Sequence, residues 1–428
     1  MAKIIVAAPP VPGELAPLLQ LGRGLSARGH QITVLTGSGF RATVENTGLG
    51  FVPLPGIADY DFRQLVAMPE RAGLAPGPAQ LNFDWINAFV NPMPDGHAAL
   101  QELLDEDPGQ YLISNALFLG ALPARLGAAG RRPLRWVAVS AVPLALGSDD
   151  TTFFGPAPVG PGEDPVAANR AANAQFAAAT RPTRDRVNEL LRELGAGPVD
   201  QSFTDLIITQ PDATAVLSVP GFEFDRGDLP ASVHLVGIMP AQHADGWVPP
   251  GWWPDLDAGR PVVVVTQGTV ANDDLSQLVE PALAALAGLD VTVVGALGRD
   301  PGALPAPPNA RVAEFVPFGE LLPKASVYIT NGGFGGTQQA LAAGVPVIVA
   351  GETEDKPANA ARVEYHGLGI NLRTATPDPR AIRDAVELLL KDSDVRENVR
   401  RLAAVYASCD AVTEIERLTL RDGPGPRH

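Results

Sequence analysis

The stretch VYITNGGFGGTQQAL, Val327 to Leu341, carries the most chemistry per residue in this chain. Its apolar start, Val327–Thr330, reads as a short buried strand, and its end, Gln338 through Leu341, reads as the opening of a helix. Between them lie Gly332, Gly333, Gly335 and Gly336, whose missing side chains let backbone N–H groups approach a ligand closely. Amides at a helix start, where the macrodipole is positive, suit a phosphate, and two adjacent phosphates suit the length of this turn. Glycine-rich strand-to-helix turns also serve as plain tight connections, so the surroundings must decide.

Those surroundings begin with composition. A chain of 428 residues, 46% hydrophobic and 19% charged, has enough material for two globular domains, each with its own core. A net charge of -16 repels phosphate backbones and anionic lipid, so neither nucleic acid nor a membrane is an expected partner. A bound phosphate must then be held locally, by amides. Met1 runs straight into a strand and a proline turn, with no charged segment followed by an apolar one, and no apolar run approaches a membrane span; a cytoplasmic location is expected. The single cysteine, Cys409, allows no internal disulfide, and the six histidines fall in no ligand spacing, so no metal site is expected.

The elements that would position the glycine turn follow an alternating pattern. Residues 3–8 read as a strand buried on both faces, 15–28 as a helix ended by Gly29, and Gln31–Thr36 as the next strand, a βαβ opening. This first turn lacks GxGxxG, which argues against a nicotinamide or flavin dinucleotide. Residues 56–95 read as irregular and proline-rich, with Phe83, Trp85 and Phe89 interspersed, and Phe118 follows the strand Tyr111–Asn115; such apolar groups on loops cap a core or line a ligand cleft. Further strands are expected at 134–140, 213–219 and 232–236, one long helical pattern at 166–194, and a second irregular insert with Phe153 and Phe154 at 142–164. Residues 237–260, dense in Pro, Gly and Trp, read as a linker. A second alternation follows: strands at 261–265, 290–294, 311–315, Val327–Thr330 and 345–350, a helix at 275–287, and a helical end over 379–418 before a disordered tail.

On these residues the chain resembles a known family. FVPFGELL, TNGGFGGTQQALAAGVPV, EDKPANAARV and GLG, within 315–369, are similar to the donor-binding signature of family 1 glycosyltransferases of the GT-B fold, in particular bacterial natural-product enzymes. GELAPLLQLGRGLSARGHQITVLTG resembles the family's N-terminal unit, and VVVVTQGTV the first strand of its second domain. The resemblance implies an α/β fold of two Rossmann-like, doubly wound domains facing across a cleft: residues 1–236 for the acceptor, a linker at 237–260, 261–400 for the nucleotide sugar, and a C-terminal helix and tail at 401–428. It implies transfer with inversion, from a UDP or TDP sugar as co-substrate, to a hydrophobic small-molecule acceptor, with no metal and no other cofactor.

Carried over by position, the resemblance puts the diphosphate against Gly333, Gly335, Gly336 and Thr337, with Gly268 and Thr269 at the neighbouring strand end. Phe315 stands where the family stacks a tryptophan on the nucleobase, and Val316 where backbone reads the base edge. Gln339 falls at the glutamate that holds the ribose hydroxyls, and Asp355 at the acceptor of sugar hydroxyls. Phe83, Trp85, Phe89 and Phe118 become candidates for the acceptor wall. Asn331 replaces the family's phosphate-contacting histidine and can still donate a hydrogen bond. Lys356 replaces a glutamine; it would contact the donor or pair with Glu352 or Glu354.

The expected catalytic histidine and aspartate are both changed, to Glu14 and Asn115. The pair of changes is coherent, because a carboxylate beside a second carboxylate suffers repulsion, whereas a neutral amide can orient it. Glu14 is therefore the candidate general base, held by Asn115; the alternatives are Glu14 as a helix-start charge, or Asp84 or His97 as the base, while His30 ends a helix. Two other readings remain open: a catalytically impaired nucleotide-sugar-binding helper, motivated by the missing histidine, and an epimerase of the same architecture.

Overall fold

The computed structural model describes residues 1–75, 77–241, 246–268, 274–302 and 304–421. Its chain divides into two compact units: Met1–Leu217, Asp225–Met239 and Asp410–His428 in the first, and Ser218–Phe224 with Pro240–Cys409 in the second. The expected linker at 237–260 thus begins within the first unit, and the C-terminal boundary falls at Asp410 rather than at 401, after the helix Ser393–Ala407. Residues 422–428, expected to be a disordered tail, lie outside the described residues.

The first unit holds a seven-stranded parallel sheet: β1 (Lys3–Ala7), β2 (Gln31–Thr36), β3 (Gly50–Pro53), β4 (Tyr111–Asn115), β5 (Trp136–Ser140), β6 (Ala213–Val216) and β7 (Val233–Leu235), in the order β3-β2-β1-β4-β5-β6-β7. The second holds six: β8 (Val262–Thr266), β9 (Thr292–Ala296), β10 (Ala310–Ala313), β11 (Val327–Thr330), β12 (Val347–Val349) and β13 (Gly369–Asn371), in the order β10-β9-β8-β11-β12-β13. All strands are parallel, and the direction in which successive strands are laid along the sheet reverses between β1 and β4 in one unit and between β8 and β11 in the other. At such switch points the loops beyond the strand ends diverge and leave room for ligands. In register, Ala7 faces Ser114 and Thr266 faces Thr330, so Asn115 stands one residue beyond the first pair, and Gln267 and Asn331 one beyond the second.

The central strands carry the cores. Every residue of β1 after Lys3, and all of β4's last four, β5 and β8, are buried, as the unbroken apolar runs predict for sheets covered on both faces. The terminal helix Ala411–Leu420 returns to the first unit, where Ala411, Ile415 and Leu418 join the core beside Leu18, Leu21 and Leu25. It is tied there by Glu416, which accepts from Arg28 Nη1 at 2.5 Å and bonds His30 Nε2 at 2.7 Å. His30 Nδ1 accepts from the Ala2 amide at 3.2 Å, so that ring is a structural strut.

Two expectations about local structure are corrected. Residues 56–95 are largely helical, with Phe62–Val66, Pro69–Ala72, Pro78–Trp85, a π turn at Ile86–Val90 and the start of Met93–Glu106. The prolines read there as loop markers occupy first turns of helices, where no N–H is needed. The single long helix expected at 166–194 is two, Pro165–Ala179 and Arg181–Glu193, broken where Thr180 turns its hydroxyl back to Phe176 O and Pro182 begins anew. Edge strands β3 and β13, four and three residues long, were too short to carry a period.

Candidate active site

The helix after β1 spans Pro12–Ala27, three residues earlier than its apolar period suggests, because Pro12 at its start fixes a helical φ. Glu14 is therefore inside the first turn rather than capping it; the N-cap is Val11, with no side-chain cap bond. Negative charge in a first turn interacts favourably with the helix dipole. Asn115 ends β4 beside it, and Asn115 Nδ2 donates to Glu14 Oε2 at 2.6 Å in a buried contact. Asn115 Oδ1 accepts from the Leu117 amide at 2.9 Å, so the side-chain amide cannot be turned round without setting two donors against each other. The two residues singled out in the sequence, 101 positions apart, are thus one oriented pair.

A small cavity is lined among others by Pro9, Tyr60, Phe89, Leu117 and Phe118; neither Glu14 nor Asn115 lines it, but Leu117 donates its amide to Asn115. Tyr60 is pushed to a higher pKa by burial and, secondly, by the charge of Glu14, so its hydroxyl stays protonated; it donates to Ala88 O at 2.8 Å. The cavity's volume, about 20 Å³, holds roughly one water. Phe89 and Phe118 line it; Phe83 and Trp85 do not. Trp85 instead joins a run of rings, 5.1 Å from Phe203 and 6.4 Å from Phe176, which in turn lies 6.1 Å from both Phe153 and Phe154.

The other candidates for the base are engaged elsewhere. Asp84 accepts both prongs of Arg71, at 2.6 and 2.9 Å. His97 is buried with Nδ1 on Gly120 O at 2.9 Å.

In the second unit the glycine stretch forms the predicted strand, turn and helix, the helix running Phe334–Ala342 from Gly333 as N-cap. The first amide in its ladder is that of Thr337, donating to Gly333 O at 3.1 Å, which leaves those of Phe334, Gly335 and Gly336 ahead of the ladder. Side chains added at Gly333 or Gly335 would meet nothing within 4 Å, so this end is open. Gly332 is required for a different reason. Its φ is +94°, and a Cβ there would fall 2.7 Å from Val349 Cγ1. Thr337 is fully buried and its hydroxyl finds no partner among the described residues. Open amides and an orphaned hydroxyl in one helical turn are a donor set that fits an anion.

Around this turn, Asn331 Nδ2 donates to Gln267 O at 2.6 Å, joining the two strand ends at the switch point. Gln267, unremarked in the sequence, accepts from the Leu278 and Val279 amides and donates to Asp274 O, carrying the chain back into the helix Val279–Leu286. Gly268 has φ +75°; Thr269, expected beside it, lies outside the described residues. Phe315 is 61% exposed and Val316 buried. Gln339 is partly exposed, whereas its neighbour Gln338 is buried and accepts from Tyr406 Oη at 2.9 Å. Burial raises the Asp355 pKa above the usual carboxylate range. Lys356 is buried with its ammonium on Glu354 Oε2 and Thr353 Oγ1, so it pairs with Glu354; Glu352 accepts instead from the Ala375 amide. Asn359, also missed, donates to both Gly332 O and Asp355 Oδ2; its signal was the i, i+4 spacing from Asp355 on one helix. Tyr60 left no signal at all. No helix among the described residues is long and apolar enough to cross a membrane.

Residues 280–419 match the family described as erythromycin biosynthesis protein CIII-like, C-terminal domain. The chain is 36% identical to the 4'-demethylrebeccamycin synthase of Lentzea aerocolonigenes, the alignment covering 96% of this chain and 97% of that one. It is 34% identical to UDP-glycosyltransferase 2 of Phaeomoniella chlamydospora, over 96% and 94% of the two chains. Among solved structures, the calicheamicin glycosyltransferase superposes with a TM-score of 0.72 at 25% identity, over 99% of this chain and 100% of that one.

Proposed function

The chain belongs to the nucleotide-sugar-dependent glycosyltransferases of the GT-B fold, and on that footing we propose that it is an inverting enzyme in which Glu14 is the general base. The observation that carries this reading is the buried 2.6 Å bond that fixes Glu14 against Asn115. Glu14 takes the proton from an acceptor hydroxyl. The oxygen then forms a bond to the anomeric carbon from the face opposite the diphosphate, as the bond to the leaving oxygen breaks, and the configuration inverts. Negative charge growing on the nucleoside diphosphate is met by the amides of Phe334, Gly335 and Gly336, the hydroxyl of Thr337 and the amide of Asn331. Phe315 stacks on the base, Val316 borders it, Gln339 takes the ribose hydroxyls and Asp355 those of the sugar. The exposure of the Phe315 ring supports a stacking role.

The donor is a UDP or TDP sugar, held by residues 261–400 with no further cofactor, and the acceptor is bound by residues 1–236. The apolar lining around Phe89 and Phe118, and the ring series that continues through Trp85 to Phe154, support a hydrophobic acceptor. The relatives named for rebeccamycin and calicheamicin products support a natural-product acceptor. Each curated relative quoted is named as a synthase or transferase, which favours turnover over a helper role.

The test is Glu14→Gln, with transfer followed against a panel of aromatic natural products. Turnover should fall by about 10²–10⁴-fold, the usual worth of a general base, with nucleoside diphosphate affinity unchanged. The anomeric configuration of the wild-type product, read by NMR coupling, should be opposite to that of the donor. Unchanged turnover in the variant removes Glu14 from the reaction, and a retained configuration removes direct displacement.

A further inference from the structure

Asn359 lies one helical turn beyond Asp355, on the helix Lys356–Tyr365, and is wholly buried. Its Nδ2 has two hydrogens and two acceptors: Gly332 O at 2.9 Å and Asp355 Oδ2 at 3.1 Å. Both partners are acceptors, so the amide's orientation is set, and Oδ1 has no partner among the described residues. Gly332 is the residue whose left-handed backbone starts the phosphate turn, and its carbonyl accepts from the Asn359 side chain. We propose that Asn359 is a positioning residue of the donor site: it ties the backbone of the phosphate turn to the carboxylate that receives the sugar hydroxyls, so that the two ends of the donor are held at one fixed separation. This rests on the assignment of Asp355 to the sugar.

The charges around Asp355 make the role measurable. Burial raises its pKa, Lys356 lowers it, Glu354 raises it, and the bond from Asn359 lowers it. Lys356 is bonded to Glu354, so the Asn359 bond is the neutral side-chain contact that aims the Asp355 carboxylate, and it lowers the pKa alongside the larger effect of the Lys356 charge. Removing it leaves a less readily ionised acid beside a turn whose carbonyl has lost a donor.

In the full-length enzyme, with transfer from the preferred UDP or TDP sugar measured between pH 5 and 9, Asn359→Ala should raise donor KM by about 5–50-fold, the loss of two buried hydrogen bonds. It should leave acceptor KM unchanged and move the acidic limb of kcat/KM for the donor to higher pH. Asn359→Ser, which keeps one donor, should recover part of both effects and serves if the alanine variant does not fold. In an Asp355→Asn background the same Asn359→Ala change should no longer move the acidic limb. Loss of activity that follows thermal stability alone, with donor KM and pH profile unmoved, overturns the proposal. If Asp355→Asn leaves transfer untouched, the sugar assignment falls; if Asp355→Asn costs activity while Asn359→Ala and Asn359→Ser do not, only the positioning role falls.

Discussion

The two topological switch points place residues at equivalent positions and use them in opposite ways. Beyond β1 and β4 the first unit sets a carboxylate and an amide against each other, Glu14 and Asn115, buried and already bonded at 2.6 Å. Beyond β8 and β11 the second unit sets an amide on a backbone carbonyl, Asn331 on Gln267, and leaves the recognising groups open: amides ahead of a helix and the unanswered hydroxyl of Thr337. A base must be poised before the substrate arrives, and a carboxylate left unheld would lose its aim. A diphosphate brings its own acceptors, so its site can be completed by the ligand. On the function proposed above, one switch point is preassembled and the other is finished on binding.

The sharpest way to break this contrast is to make the assembled pair repel. Asn115→Asp puts two carboxylates within 2.6 Å, which raises the pKa of one of them strongly. The acidic limb of kcat should move to higher pH and turnover at pH 7 should fall about 10–100-fold, with donor KM unchanged. A pH profile identical to that of the wild type would show that Glu14 works without its partner.

On the donor side the effects should appear in affinity. Phe315→Ala should raise donor KM by a factor matching about 1–3 kcal/mol of base stacking, with the melting temperature unmoved because the ring is 61% exposed. Gly332→Ala should do the reverse, costing on the order of 1–3 kcal/mol of stability through its positive φ and the approach to Val349, and a calorimetric scan would register it. If added nucleoside diphosphate restores none of the lost melting temperature, the turn is not completed by ligand.

The smallest effect lies away from both switch points, at the docking of the C-terminal helix. Glu416 has its pKa lowered, first by the bond from His30 and then by Arg28. A depressed carboxylate contributes stability above its unfolded value and loses it as pH falls through the folded one. Glu416→Gln should therefore lower stability at pH 7 by roughly 0.2–1 kcal/mol, as for partly exposed ion pairs, and the difference from wild type should vanish toward pH 3.

Much of the site was legible because it is written in local sequence. The glycine turn from Asn331 to Thr337 is a strand, a break and a helix start within a dozen positions, each with its own residue signature. The proline-rich region was misread for the same local reason: Pro69 and Pro78 signal a loop or a helix start alike, and only the burial of Phe89 and Val90 beneath the resulting helices settles which. Lys356 could be placed near the donor or on Glu354 with equal ease from spacing alone, and its burial beside Glu354 is a matter of packing.

The sequence by itself determined the two alternating halves and the glycine turn between strand and helix, because apolar period and glycine spacing act over short range. Tertiary structure alone decided that Asn115 meets Glu14 across 101 residues, that Gln267 and Asn359 brace the donor turn, and that the last helix returns to the first unit. Those contacts depend on which strands neighbour one another, and strand order is set by how all the apolar faces are buried at once, a property that no single stretch of the chain contains.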